Sequence, residues 1–86
     1  MPEICRFFGI VIKMYFGDHP PPHFHAEYGE HQAVIDIRTL VVIGGHLPPR
    51  ALGLVVEWAS QHQADLLELW ERAANHQPLF KLPPLA

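Results

Sequence analysis

Three histidines and a glutamate lie close together in the first third of the chain. His19 precedes three consecutive prolines, and His23, His25 and Glu27 follow at alternate positions. Alternate residues of a β-strand point to the same face of a sheet, so imidazoles at positions i and i+2 can converge on one ion. Two histidines and a carboxylate bind divalent transition metals and leave coordination positions open. The spacing therefore predicts a site for zinc, nickel or manganese that is made of these four residues.

The strand that carries these residues is predicted to be one arm of a β-hairpin. Residues 23–28 and 31–37 both alternate apolar and polar side chains, and a Gly-Glu pair between them forms a two-residue turn. In this register Asp36 lies opposite His23, where its carboxylate could orient the imidazole. If the site is that of an enzyme, Glu27 and Asp36 are the candidate catalytic carboxylates.

The polar face of this hairpin extends onto the preceding strand. Residues 10–16 have an apolar side chain at every second position, which places Lys13 and Tyr15 on the polar face. These two residues, with His23 and His25, are the candidate binding residues for a partner molecule. A simpler interpretation stays open, because an outward sheet face is polar in any case. Its histidines can be solvated or bonded to the proline-rich loop.

The first half of the chain is predicted to form a small antiparallel sheet. Residues 4–8, 10–16, 23–28 and 31–37 have the patterns that are typical of strands, with a bend at Gly9. Residues 40–43 are a continuous apolar run, which predicts a strand buried on both faces. We expect four or five strands between about residues 4 and 43.

The second half changes to a helical period. Apolar residues recur every three or four positions after a Pro48-Pro49 pair that suits a helix start. We expect one long helix or two consecutive helices over about residues 49–75, followed by an extended, proline-rich tail over residues 78–86. The predicted fold is therefore a single α+β domain over residues 1–86, with the sheet packed against the helical region.

The composition excludes several classes of protein. The chain has 86 residues, of which 49% are apolar and 17% charged, so it has room for one modest core and is not a disordered acidic tail. Its net charge of -3 gives no general attraction to nucleic acid or to an anionic membrane. Any contact with nucleic acid must therefore be a local patch.

The single cysteine and the short apolar runs indicate in which cellular compartment we expect the protein. Cys5 alone cannot form an internal disulfide, and a four-cysteine zinc site is excluded, which fits a reducing compartment. No apolar stretch has the length of a membrane span, and the first residues lack the basic and apolar regions of a signal peptide. We expect a cytoplasmic protein that has no membrane partner.

The motifs of this chain resemble a family of small bacterial proteins, the domain of unknown function 4160. The resemblance rests on MYFGDHPPPHFHAEYG at residues 14–29 and AVIDI at 33–37, and continues through LPPRAL at 47–52, VEWA at 56–59 and LLELW at 66–70. It implies that His19, His23, His25 and Glu27 belong to the family signature. It brings no established activity, but members often stand beside another small protein, which is similar to the arrangement of toxin–antitoxin pairs.

Three functions follow as hypotheses. The first is a small cytoplasmic binding module, one component of a toxin–antitoxin-like gene pair, whose His-rich sheet face recognises a protein or nucleic-acid partner such as the neighbouring gene product. The second is a metal-dependent hydrolase or nuclease with His19, His23 and His25 as ligands and Glu27 as a ligand or general base. The third is a structural subunit that forms a homo-oligomer through an exposed sheet edge or its C-terminal tail. The sequence leaves open whether the protein is an enzyme.

Overall fold

An antiparallel sheet of five strands, followed by two helices, makes up the computed structural model, which describes residues 2–86. The strands pair in chain order, each with the next. The predicted α+β class is confirmed, with five strands and two consecutive helices. The elements are β1 (Glu3–Phe7), β2 (Ile10–Lys13), β3 (His23–Tyr28), β4 (His31–Asp36), β5 (Val42–Gly45), α1 (Pro49–Ser60) and α2 (Gln63–Ala74).

The β3–β4 hairpin has the register that its two-residue turn predicts. Tyr28 pairs with His31 beside the turn, and His23 pairs with Asp36 at the far end. The Gly29 backbone has a φ of 59°, a conformation that glycine adopts without strain. One face of the hairpin is therefore apolar and the other carries the histidines.

Strand β2 ends at Lys13, three residues earlier than the alternation predicts. Beyond it the chain leaves the sheet and docks on the end of α2, where the backbone N–H of Gly17 donates to the carbonyl of Ala73 at 3.1 Å. The backbone N–H of Met14 still donates to the carbonyl of Pro2 at 3.1 Å, but Phe16 is 43% exposed, so the alternation of residues 14–16 extends past the end of β2.

The core lies between the apolar face of the sheet and the two helices. Trp58 of α1 is fully buried, and its ring packs against those of Phe7 and Phe24 at centroid distances of 5.5 and 6.1 Å. The sheet contributes side chains from alternate positions, and each helix contributes one face, as the two periodicities predict. The other fully buried large side chains are those of Ile4, Ile10, Ile12, Met14, Ile35, Ile37, Val55, Leu66 and Leu69.

The helical region is divided at residues 61–62. The Ser60 hydroxyl donates to the carbonyl of Glu57 at 2.7 Å, and the side-chain amide of Gln63 donates to the carbonyl of Ile37 at 2.9 Å. The second bond fastens the start of α2 to the sheet. Asp65 lies in the first turn of α2, where the helix dipole favours a carboxylate. Neither of these helices has the length and apolarity that crossing a membrane requires.

Strand β5 differs from its prediction. The sequence predicts that the apolar run is buried on both faces, but β5 lies at the edge of the sheet. The side chains of Val41 and Ile43 are 56% and 49% exposed. The physical reason is that the helices cover one face of the sheet only, so an apolar run at the edge has no second layer to pack against.

The C-terminal tail covers the opposite edge of the sheet. The backbone N–H of Leu82 donates to the carbonyl of Ile4 on β1 at 2.9 Å. The carbonyl of Pro83 accepts two further hydrogen bonds, from Trp58 Nε1 at 2.8 Å and from Cys5 Sγ at 3.6 Å. The extended tail is thus held against β1 and the core.

Candidate metal centre

Two imidazoles and one carboxylate meet at the start of β3. His23 and His25 project from the polar face of the strand, and Asp18 reaches them from the loop that follows β2. The loop is fixed at both ends. Gly17 is bonded to α2, and the carbonyl of Pro22 accepts the backbone N–H of Ile37 at 3.0 Å. The carboxylate is therefore positioned by tertiary contacts.

The three side chains lie within the reach of one ion. One oxygen of Asp18, Oδ2, is 2.8 Å from His23 Nε2 and 3.2 Å from His25 Nε2. The two rings have centroids 5.2 Å apart, and one ligand atom from each of the three residues lies within 4.8 Å of the others. Nitrogen from histidine and oxygen from aspartate are ligands that divalent transition metals share.

Both ring nitrogens of His23 face oxygen atoms that accept hydrogen bonds. Its Nδ1 lies 2.7 Å from the carbonyl oxygen of Pro21, which can only accept, so Nδ1 carries a hydrogen. Its Nε2 faces the Asp18 carboxylate, which also only accepts when it is ionised. A neutral ring would direct a lone pair at this carboxylate. While Asp18 is ionised, either a second ring proton or a bound cation at Nε2 would satisfy this contact.

Burial strengthens the electrostatics of the centre. His23 is only 8% exposed, and its ring packs against Trp70 of α2 at a centroid distance of 5.0 Å. His25 is half-buried, and its ring meets that of Tyr15 in a T-shaped arrangement with a centroid distance of 4.5 Å. Charged groups interact more strongly where protein replaces water. The half-buried carboxylate of Asp18 therefore has a strong preference for a cationic neighbour.

Asp18 is held in its ionised form. Burial by itself raises the pKa of this carboxyl, but the hydrogen bonds with His25 and His23 and one from the backbone N–H of His19 outweigh that effect. The pKa of Asp18 is therefore lowered from its ordinary value. An ionised carboxylate is the form that binds a metal.

Two residues of the predicted metal site lie outside this group. The His19 side chain is exposed, whereas its backbone N–H bonds to Asp18. Glu27 pairs with Lys13, whose Nζ lies 3.0 Å from each carboxylate oxygen. The structure thus brings together two of the four predicted residues, His23 and His25, and supplies Asp18 as the third.

Asp36 has a local structural role. It lies opposite His23 in the predicted register, but its Oδ1 accepts the backbone N–H groups of Arg38 at 2.7 Å and Thr39 at 3.0 Å. The bond from Thr39, which outweighs burial, helps to lower the pKa of Asp36. The groups that orient His23 are therefore Asp18 and the carbonyl of Pro21, in place of Asp36.

A cleft of about 250 Å³ adjoins the centre on the polar face of the sheet. Tyr15, His25, Glu27 and Gln32 contribute to its wall, and Gly45 of β5 closes one side. Two of the predicted binding residues, Tyr15 and His25, thus border one cavity. Lys13 is next to it through its bond to Glu27.

The sequence-based prediction of the site did not include Asp18. The residue stands in a Gly-Asp-His-Pro run, which the pattern identifies only as the end of a strand. A signal was present, since this carboxylate immediately precedes a proline-stiffened loop that returns to His23 and His25. Its contact with them depends on the docking of Gly17 on Ala73, which no local pattern contains.

A family model described as a domain of unknown function (DUF4160) matches residues 9–71 of the 86-residue chain. The chain belongs to this family. No curated protein and no solved structure matches it. The matched region of this DUF4160 member includes all three residues of the centre and the Tyr15 side of the cleft. The C-terminal tail that covers β1 lies beyond the match.

Proposed function

We propose that this protein is a binding module whose centre is a divalent transition metal held by Asp18, His23 and His25. The observation that carries the proposal is the double hydrogen bonding of His23. One ring nitrogen donates to a carbonyl, and the other faces an ionised carboxylate at 2.8 Å. In metal centres the ligating histidine commonly donates its second N–H to a carbonyl, which fixes the ring for coordination.

The donor set fits zinc, nickel or manganese. Two imidazole nitrogens and one carboxylate oxygen suit this group of ions, whereas calcium and magnesium prefer oxygen ligands. Three protein ligands leave at least one coordination position for an outside molecule, unlike the four-ligand sites that only stabilise a fold. His25 belongs both to the ligand set and to the wall of the cleft. An atom of a partner in the cleft could therefore complete the coordination.

Binding is supported better than hydrolysis by the environment of the carboxylates. The predicted hydrolase or nuclease uses Glu27 or Asp36 to take a proton from water, which requires a free carboxylate. Glu27 is bonded to Lys13, and Asp36 is bonded to two backbone N–H groups. Neither carboxylate of the predicted catalytic pair is free, which favours recognition over hydrolysis.

The partner class follows from the same face. We propose a protein or nucleic-acid ligand that offers a donor atom to the metal, with the product of a neighbouring gene in a toxin–antitoxin-like pair as the first protein to test. The buried free thiol of Cys5 supports a reducing compartment such as the cytoplasm. Burial raises the pKa of this thiol, which keeps it protonated and unreactive.

Calorimetric titration of metal-stripped protein with zinc, nickel and manganese tests the proposal. We expect one ion per chain, and loss of that binding in the variant with both His23→Ala and His25→Ala. The matched control, His19→Ala, changes an exposed histidine of the same loop and should keep the affinity. The rival explanation is a proton on His23 in place of the metal. The proposal would be overturned if the wild type bound no metal, as the rival explanation expects, or if the wild type and the double variant bound metal equally.

A further inference from the structure

The two edges of the sheet are protected differently. The edge at β1 is covered, because the tail donates from Leu82 to Ile4 and its Pro83 carbonyl is bonded to the core. Among residues 2–86, the edge strand β5 has a neighbouring strand on one side only, β4. An uncovered edge presents unpaired backbone N–H and C=O groups, which are ready to pair with another strand.

The open edge also lacks the usual chemical protection. Edge strands are commonly protected by charged side chains such as lysine, or by proline, but residues 39–45 contain no ionisable side chain and no proline. Val41 and Ile43 are exposed beside this backbone. A shift in register between Val34 and Ile35 is the one device that disturbs the β4–β5 ladder within the described residues. The edge therefore combines unpaired backbone N–H and C=O groups with exposed apolar side chains.

We propose that β5 is the interface between two copies of this chain, which pair antiparallel across a two-fold axis to form a continuous sheet of both copies. This inference does not depend on the metal. In antiparallel pairing of identical strands about a two-fold axis, the N–H groups of each copy donate to C=O groups of the other, and the same residues form both sides, as an isologous interface requires. Since residues 39–45 are uncharged, the second copy brings no like charge to the contact. A strongly acidic or basic partner would find no complementary charge there.

The proposed interface borders the functional cleft. Gly45 is both the last residue of β5 and part of the wall of the cleft beside His25. This position requires glycine, because a side chain there would collide with the backbone of Gln32. Pairing along β5 would therefore set the second copy beside the cleft, and each copy would help to shape the binding face of the other.

Sedimentation velocity of the full-length protein over a wide concentration range tests this interface. We expect the mass to rise from 9.8 kDa toward twice that value as concentration increases. Ile43→Lys introduces two like charges close to the two-fold axis, and should raise the dimer dissociation constant at least about tenfold. The matched control is Phe8→Lys, which places lysine at a residue that is 62% exposed and lies outside β5. It should leave association unchanged.

Circular dichroism and thermal unfolding establish that each variant is folded. If Ile43→Lys does not fold, Val41→Lys at the other exposed apolar residue replaces it, with the same expected loss of association. A wild type that stays at 9.8 kDa at every concentration overturns the proposal. A dimer that persists in the folded β5 variants overturns it equally, because its interface must then lie elsewhere. Metal titration of the same samples shows whether the centre is intact, so failure of one proposal is distinguishable from failure of the other.

Discussion

The two ends of the polar face of β3 differ in how their carboxylates are neutralised. At the end near the turn, Glu27 has one lysine partner, Lys13, at 3.0 Å from both oxygens. At the other end a single oxygen of Asp18 faces two imidazole nitrogens, and one of the rings already donates to a carbonyl. The charge of Glu27 is balanced by Lys13, whereas the charge of Asp18 is balanced either by a second proton on His23 or by the proposed metal ion. Alternating residues of one strand can therefore serve structure at one end and binding at the other.

The largest expected effect is a difference in metal affinity between variants that change the carboxylate at each end. Asp18→Asn keeps the shape of the side chain but removes its charge, and should weaken zinc binding at least about 100-fold, since even an outer hydrogen-bond partner contributes up to that factor. Glu27→Gln is the matched control at the other end and should change the affinity only a few-fold. Competition against a zinc indicator measures both. Similar losses in the two variants would show that the ends do not differ.

The second prediction concerns how the stability contributed by Asp18 changes at low pH, and its expected effect is smaller. Since the pKa of Asp18 is lowered in the folded protein, its ionised form contributes stability that is fully present above the ordinary carboxyl pKa of about 4. This contribution is lost as the pH falls through the lowered, folded-state pKa. The difference in unfolding free energy between the metal-free wild type and Asp18→Asn should therefore shrink below about pH 4. Urea unfolding with a chelator, at a series of pH values, measures it. A difference that grows toward low pH would contradict the hydrogen-bonded carboxylate.

The smallest expected effect is the coupling energy of the ion pair between Lys13 and Glu27. A double-mutant cycle with Lys13→Met and Glu27→Gln should give a coupling energy of about 1 kcal/mol, because both side chains are partly buried but stay in contact with water. Urea unfolding of the four proteins gives the coupling. Metal affinity should be nearly equal in all four. A zero coupling energy would mean that the pair is only a surface contact, and Glu27 would then be available to the cleft.

The fold was predictable where local rules determine it. The two-residue turn fixes the register of β3 and β4, so the pairing of His23 with Asp36 follows from sequence. The change from a period of two to a helical period identifies the sheet and the helices. The apolar run at β5 was misleading, because its composition is that of a buried strand, whereas burial depends on the position of a strand in the sheet.

The site was predictable only in part. His23 and His25 share a face because they share a strand, which is a local property. Asp18 and Trp70 join them through the docking of the loop on α2, and that contact links residues far apart in the chain. The ion pair of Glu27 with Lys13 could not be predicted from the sequence either. Lys13 was placed on the correct face, but its choice of carboxylate depends on the pairing of β2 with β3.

The tail that covers β1 limits how far such a molecule can assemble. With one edge closed, association through β5 stops at a pair, which has no free edge of the same kind left. Displacing residues 79–86 would leave each copy with two unpaired sheet edges, and open-ended growth into filaments would become possible. If the proposed pairing through β5 occurs, the contacts of the C-terminal tail with Ile4 and Trp58 would limit assembly to a dimer and prevent growth into a fibre.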